Sequence, residues 1–180
     1  YNLIDFQSIK KTFTYSKSES VIFMATFLST LLFELEFAIY LGVLLSLMLF
    51  IAKTSAPEVH TLAFGSPPGE DIRKLQSIRK TPLVQCPQLK IIRIDMSIYF
   101  GSINHIQKQI SQIVDNQRIY HILIVASGVN FIDLAGIEGL LIEHRRLKAL
   151  NGDLYLVDVK SSTYEFMEKV NFVNEIGREN

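Results

Sequence analysis

Two apolar runs separated by a pair of acids set the first constraint on this chain. From Val21 to Phe33 and from Phe37 to Ala52 almost every residue is apolar, with only Ser, Thr, Gly and Tyr interrupting, and Glu34 and Glu36 stand between the runs. Each run is shorter than the roughly 20 residues with which a helix crosses a bilayer. One helix through both would be too long, and it would hold two carboxylates in mid-membrane, where charge is costly. A hairpin of two short helices with the acids at its apex meets both objections. Lys10, Lys11 and Lys17 precede the hairpin and Lys53 follows it, so the excess of basic residues puts both ends on the cytoplasmic side. A fully buried hairpin of a soluble protein has the same periodicity. The stretch AIYLGVLLSLMLFIA, however, leaves no solvated face anywhere on its circumference. The membrane reading follows. Spans this short need neighbouring protein to shield their ends, so the hairpin is expected to belong to a larger bundle. The chain opens on Tyr1 and is read as a piece of something longer.

Past the hairpin the pattern changes solvent. Pro57, Pro67, Pro68 and Gly69 mark residues 56–70 as a linker, which divides the chain into a membrane hairpin over 1–55 and a water-soluble domain over 71–180. In that domain LKIIRIDM (Leu89 to Met96) reads as a strand rich in β-branched residues. Ser102 is placed to cap a helix whose apolar face is Ile103, Ile106, Ile110, Ile113 and Val114. HILIVA (His121 to Ala126) is the near-continuous run of a central strand. A helical face of Ile137, Leu140, Leu141, His144 and Leu147 follows, with Asn151-Gly152 as its stop. LYLV (Leu154 to Val157) is the next strand, and Ser162-x-x-Glu165 forms a capping box for a last helix through Phe166, Met167 and Val170. Strand and helix alternate three times. Right-handed crossovers then give an α/β fold with a mainly parallel sheet and packed helices.

Composition narrows the functions. Acidic and basic residues balance at 18 each, so there is no basic footprint for nucleic acid. The single Cys86 excludes an internal disulfide and any multi-cysteine metal cage, and is read as a buried or idle thiol. The four histidines are scattered without metal-ligand spacing. Neither a G-x-G-x-x-G nor a P-loop pattern occurs, and no nucleophile–base pair stands out. No metal, no cofactor and no enzymatic activity are expected.

The stretch VNFIDLAGIEGL (129–140) has the grammar of a strand ending in a tight turn and a helix start. ILIVASGVNFIDLAGIEGLLIEHRRLKALNGDLYLVDV, together with IIRIDMSIYFGSINHI upstream, resembles the STAS domain shared by anti-sigma-factor antagonists and the cytoplasmic tails of SulP anion permeases. The hairpin SVIFMATFLSTLLFELEFAIYLGVLLSLMLFIAKTSAPEV is similar to the last two membrane helices of such permeases and the segment beyond them. In the antagonists the residue after the loop Asp is a phosphoacceptor hydroxyl. Here Asp133 and Gly136 match, while Leu134 and Ala135 stand in the hydroxyl positions and neither can carry a phosphate. Ser127, upstream beside Gly128, is read as a structural turn residue.

Residues Asp133, Leu134, Ala135 and Gly136 therefore form a candidate docking loop rather than a switch. Asp133 suits the cap of the following helix, where acceptors and negative charge are favoured; this plain structural role is the simpler reading for that residue. Gly136 permits close backbone approach, and Leu134 offers an apolar knob. Arg145 and Arg146 are candidate contacts for an anion or acidic partner, although a solvated face explains them as well, and His144 is read as a partly buried core residue.

The resemblance implies the C-terminal part of a SulP-type secondary transporter for a sulfate- or bicarbonate-like anion, in the inner (plasma) membrane with the STAS domain in the cytoplasm. Its implied partners are the rest of the membrane domain, a second copy in a homodimer, and a cytoplasmic protein. No half-helix anion site lies in this chain, so it is not expected to transport alone. The alternative is a partner-switching regulator that lacks its phosphoacceptor; Leu134 and the membrane hairpin argue against it.

Overall fold

A computed structural model of the chain describes residues 6–15, 17–65, 74–79 and 83–178. It divides into two compact units, Tyr1–Lys53 and Thr54–Asn180.

The first unit is helical. α1 covers Phe6–Tyr15, α2 Lys17–Leu32 and α3 Leu35–Thr54. The chain reverses at Phe33 and Glu34, where the Phe33 N–H still donates to the Ser29 carbonyl at 2.9 Å and the Ala38 N–H already donates to Glu34 at 3.2 Å. Glu36 lies in the first turn of α3 and Lys53 in its last, each at the helix end whose dipole favours its charge. Small residues let α2 and α3 approach: Ser29 and Ala38 are buried, and a Cβ on Gly42 would lie 3.0 Å from the Thr26 hydroxyl. Nearly everything else apolar faces outward, including Phe27, Leu31, Val43, Leu47 and Phe50. The apolar run expected over 37–52 is extended by helical residues at both ends, and the resulting 20-residue α3 is long and apolar enough to cross a membrane. At 16 residues α2 is shorter.

The second unit is a five-stranded sheet in the order β2-β1-β3-β4-β5. Its strands are β1 (Val59–Gly65), β2 (Lys74–Ser77), β3 (Leu89–Ile94), β4 (His121–Val125) and β5 (Asp153–Val157). β3, β4 and β5 run parallel, joined by α4 (Phe100–Gln117) and α5 (Leu134–Ala149), while β1 pairs antiparallel with both β2 and β3. The α/β fold and its mainly parallel strands are as the sequence implies, and β1 alone runs against the other four, which makes the sheet mixed. The expected linker at 56–70 is corrected, because β1 lies inside it and is hydrogen-bonded between β2 and β3; the domain begins at Thr54, not 71. Its marker residues Pro67, Pro68 and Gly69 lie outside the described residues.

Period-two alternation sends Ile92, Ile94, Ile122, Ile124 and Leu154 to one face, where α4 brings Ile103, Ile106 and Ile110 and α5 brings Ile137, Leu140 and Leu147. Each of these fully buried side chains contributes roughly 1.5–3 kcal/mol relative to exposure. Leu62, Ile91 and Val125 form a smaller cluster with Leu89 and Leu123. Lys90 is buried too. Its ammonium donates to Gln85 at 2.6 Å and to Gln117 at the end of α4 at 2.7 Å, and burial pushes its pKa down.

Three helix boundaries differ from the sequence expectation. α4 starts at Phe100 with Tyr99 as its N-cap; Ser102 sits in the first turn and accepts the Tyr99 N–H at 3.0 Å, so it closes the cap from inside the helix. α5 ends with Asn151, not Gly152, in the left-handed conformation (φ 58°). Gly152 is needed for another reason, since a Cβ there would overlap the Tyr120 carbonyl. The last helix, α6 (Ser161–Lys169), is capped from Lys160 without a side-chain bond, so Ser162 and Glu165 make no capping box, and the chain then turns at Asn171 into α7 (Phe172–Ile176).

Candidate functional site

The loops leaving β3 and β4 are joined before their helices start. Ile98 and Ile132 form a parallel bridge, with the Ile98 N–H donating to Phe131 and the Asp133 N–H donating to the Ile98 carbonyl, both at 3.1 Å. Both isoleucines are buried. This zipper brings the N-terminus of α4 beside that of α5, and Asp133 lies between them. It is the N-cap of α5, with extended backbone (φ −102°, ψ 178°), and one carboxylate oxygen accepts the Gly136 N–H at 2.7 Å. The other oxygen accepts the Phe100 N–H at 3.1 Å. One carboxylate therefore satisfies a free donor at each of two helix ends, where its charge also suits both dipoles.

Gly136 is part of the same joint. A Cβ there would lie 2.6 Å from the Ile98 carbonyl oxygen and 2.8 Å from Ile132, so the first turn of α5 packs on the zipper only without a side chain. Gly128 plays a similar part in the turn before it, its missing Cβ making room for the Ile94 carbonyl at 2.6 Å. Ser127 is exposed in this turn.

What the joint displays is apolar. Leu134 is 61% exposed, Phe131 54% and Phe100 77%. Tyr99 and Phe131 rings lie 6.2 Å apart. Ala135 is half-buried beside them. Exposed apolar residues grouped in this way make the joint a candidate interaction surface. The aromatic residues were not singled out from the sequence. The signal was present in the runs SIYFG and NFID, where large rings sit at strand exits beside residues with turn geometry.

The other candidates are elsewhere. His144, Arg145 and Arg146 lie about ten residues further along α5, some 15 Å from Leu134 at about 1.5 Å per residue. Arg145 pairs with Glu175 of α7 at 3.0 Å, and Arg146 grips the buried Glu143 through two nitrogens at 2.9 and 2.7 Å. Each guanidinium is thus already paired with a carboxylate. His144 is buried at 7% exposure, with Nδ1 3.1 Å from the Asp153 carboxylate. Lys148 reaches the second Asp153 oxygen. Burial pushes the His144 pKa down, and Asp153 opposes that shift in part. This cluster ties the end of α5 to the start of β5. Cys86 is exposed, not buried.

Asp133 and Gly136, the two loop residues that match in the resemblance, thus stand as the cap and the close-approach glycine of α5. Residues 80–179 match the sequence profile of the STAS domain. The chain belongs to the STAS domain family. Its similarity to whole transporters extends across the hairpin as well. It is 25% identical over 189 residues to High affinity sulfate transporter 2 of Stylosanthes hamata, covering 99% of this chain and 28% of that protein. It is 23% identical over 188 residues to Sulfate transporter 1.1 of Arabidopsis thaliana, again covering 99% of this chain and 28% of the relative. Among solved structures, the murine Solute Carrier 26 family member A9 anion transporter in its inward-facing state shares the fold with a TM-score of 0.79 at 18% identity, over 97% of this chain and 28% of that one. The chain thus spans less than a third of the length of these relatives.

Proposed function

We propose that this STAS domain and its hairpin form the C-terminal part of a SulP-type secondary transporter of a sulfate- or bicarbonate-like anion. The observation that carries the reading is similarity to sulfate transporters over 99% of the chain, hairpin and STAS domain in one order. The chain holds the last helices of the membrane domain and the cytoplasmic domain that follows them in sequence. Anion selection and coupling belong to the remainder.

Within that assembly the STAS domain stabilises the dimer and receives partners through the surface around Leu134. The loop offers no hydroxyl at 134 or 135 for a phosphate, so its contribution is contact, not switching. Leu134→Asp tests this. A carboxylate in the first turn of α5 is neutral or favourable for the helix by about 0.3–1 kcal/mol, yet costly if desolvated against a partner. The expected result is an unchanged melting temperature of the isolated domain with reduced uptake of labelled sulfate, or reduced dimer, in the complete protein. A large loss of domain stability would make Leu134 a structural residue; unchanged uptake and dimer would remove the docking role.

A further inference from the structure

α1 reads FQSIKKTFTY, and from Phe6 to Ser18 the sequence holds Lys10, Lys11 and Lys17 and no acid. At helical spacing positions 6, 9 and 13, all apolar, share one side of α1, with Lys10 on its flank and Lys11 opposite. The three lysines are exposed, as are Phe13 at 45% and Tyr15 at 85%.

The position of α1 is fixed by its neighbour. The Phe13 and Phe23 rings meet edge to face at 5.7 Å, whereas ten residues of one continuous helix would separate them by about 15 Å. The two helices are therefore not collinear, and α1 packs beside the start of α2. In a hairpin the start of α2 and the end of α3 share one end, and the end of α3 carries the exposed Lys53. Apolar and basic groups are thus combined at the end where the spanning helix leaves the membrane.

We propose that α1 lies in the headgroup layer of the leaflet shared by both hairpin ends, with Phe13 at the acyl boundary and Lys10, Lys11 and Lys17 on the phosphates of anionic lipids. A helix with an apolar side and a basic side adopts this position when it cannot span. Charge complementarity and continuity with α3 select a bilayer as the occupant. A lysine near an anionic surface strengthens association about fivefold, so neutralising three weakens it by on the order of 100-fold. The inference rests on the membrane reading of the hairpin and not on transport.

The chain contains no tryptophan, so a single introduced indole reports position. Three full-length variants, Phe13→Trp, Tyr15→Trp and Val43→Trp, are reconstituted into vesicles of phosphatidylcholine alone or mixed equally with phosphatidylglycerol, with lipids brominated near the headgroup or deep in the chain. Val43→Trp in α3 checks insertion of the hairpin, and Tyr15→Trp spares the Phe13–Phe23 contact. The expected result is shallow quenching and blue-shifted emission at positions 13 and 15, stronger with phosphatidylglycerol and lost to most of its extent in the Lys10→Gln, Lys11→Gln, Lys17→Gln background. Quenching at 43 with none at 13 or 15 overturns the inference and leaves the membrane reading standing. Shallow quenching that ignores both phosphatidylglycerol and the three substitutions overturns the phosphate contacts. No quenching at any position overturns the membrane reading and the inference together.

Discussion

Removing the Asp133 carboxylate should unfasten two helices at once. In Asp133→Ala the Gly136 N–H loses its 2.7 Å acceptor and the Phe100 N–H its 3.1 Å acceptor. Loss of an N-cap costs about 1 kcal/mol, within a range of roughly 0.5–2. A hydrogen bond to a charged group contributes about 1.5–3 kcal/mol when buried. The Phe100 side of the joint is open to water, so the lower part of that range applies. Together the change is expected to cost roughly 2–3 kcal/mol, which at about 3–5 °C per kcal/mol for a domain of this size lowers Tm by roughly 6–15 °C. The assay is urea and thermal unfolding of the chain beginning at Thr54. Asp133→Asn separates the two bonds: its carbonyl can still cap Gly136, but its amide then faces the Phe100 N–H, donor against donor. Asn should therefore recover less than half of the loss. An Ala variant within about 0.5 kcal/mol of the parent would refute the shared cap, and an Asn variant as stable as Asp would show that the bond to Phe100 contributes nothing.

The parts of this fold written over short sequence distances were the ones legible in the sequence. Ile103, Ile106 and Ile110 announce α4 by spacing, and the HILIV run announces a strand, because each pattern repeats within its own element; the second face of β4 is only half covered, with His121 and Leu123 partly exposed. β2 is four residues, KLQS, with no apolar repeat to detect. β1 has one, but nearby prolines are equally the signal of a linker, and only pairing with β3, some thirty residues on, makes 59–65 a strand. That pairing is also what turns a parallel sheet into a mixed one. The cap role of Asp133 on α5 could be read from its own helix. Its bond to Phe100 could not, since it joins residues 33 apart. Arg145 looked available for the same reason: Glu175 is 30 residues away in sequence and 3.0 Å away in space.

Two further outcomes follow from the corrected boundary and from the buried histidine. A chain beginning at Thr54 should be soluble and cooperatively folded, whereas one beginning at Glu70 lacks β1, strands β2 from the sheet and bares the β3 edge; comparable urea midpoints for the two would refute the place of β1. For His144, the sign of the pH effect comes from its folded pKa lying below the ordinary value of 6.5 through burial. The unfolded chain then takes up a proton that the folded one resists, so stability is full above about pH 6.5 and declines as pH falls through the window beneath it. Asp153, 3.1 Å away, pulls the other way but only in part. Stability of the domain from Thr54 is measured between about pH 7.5 and about 5.5, with His144→Gln as the comparison, because carboxylates shared by both proteins cancel in the difference. The parent should lose stability over this range more steeply than the Gln variant. Equal slopes would mean that His144 titrates alike in both states. A parent that gains stability on acidification relative to the variant would show the ion pair with Asp153 outweighing desolvation, and His144 would then clasp the end of α5 to β5 as a cation instead of a neutral ring.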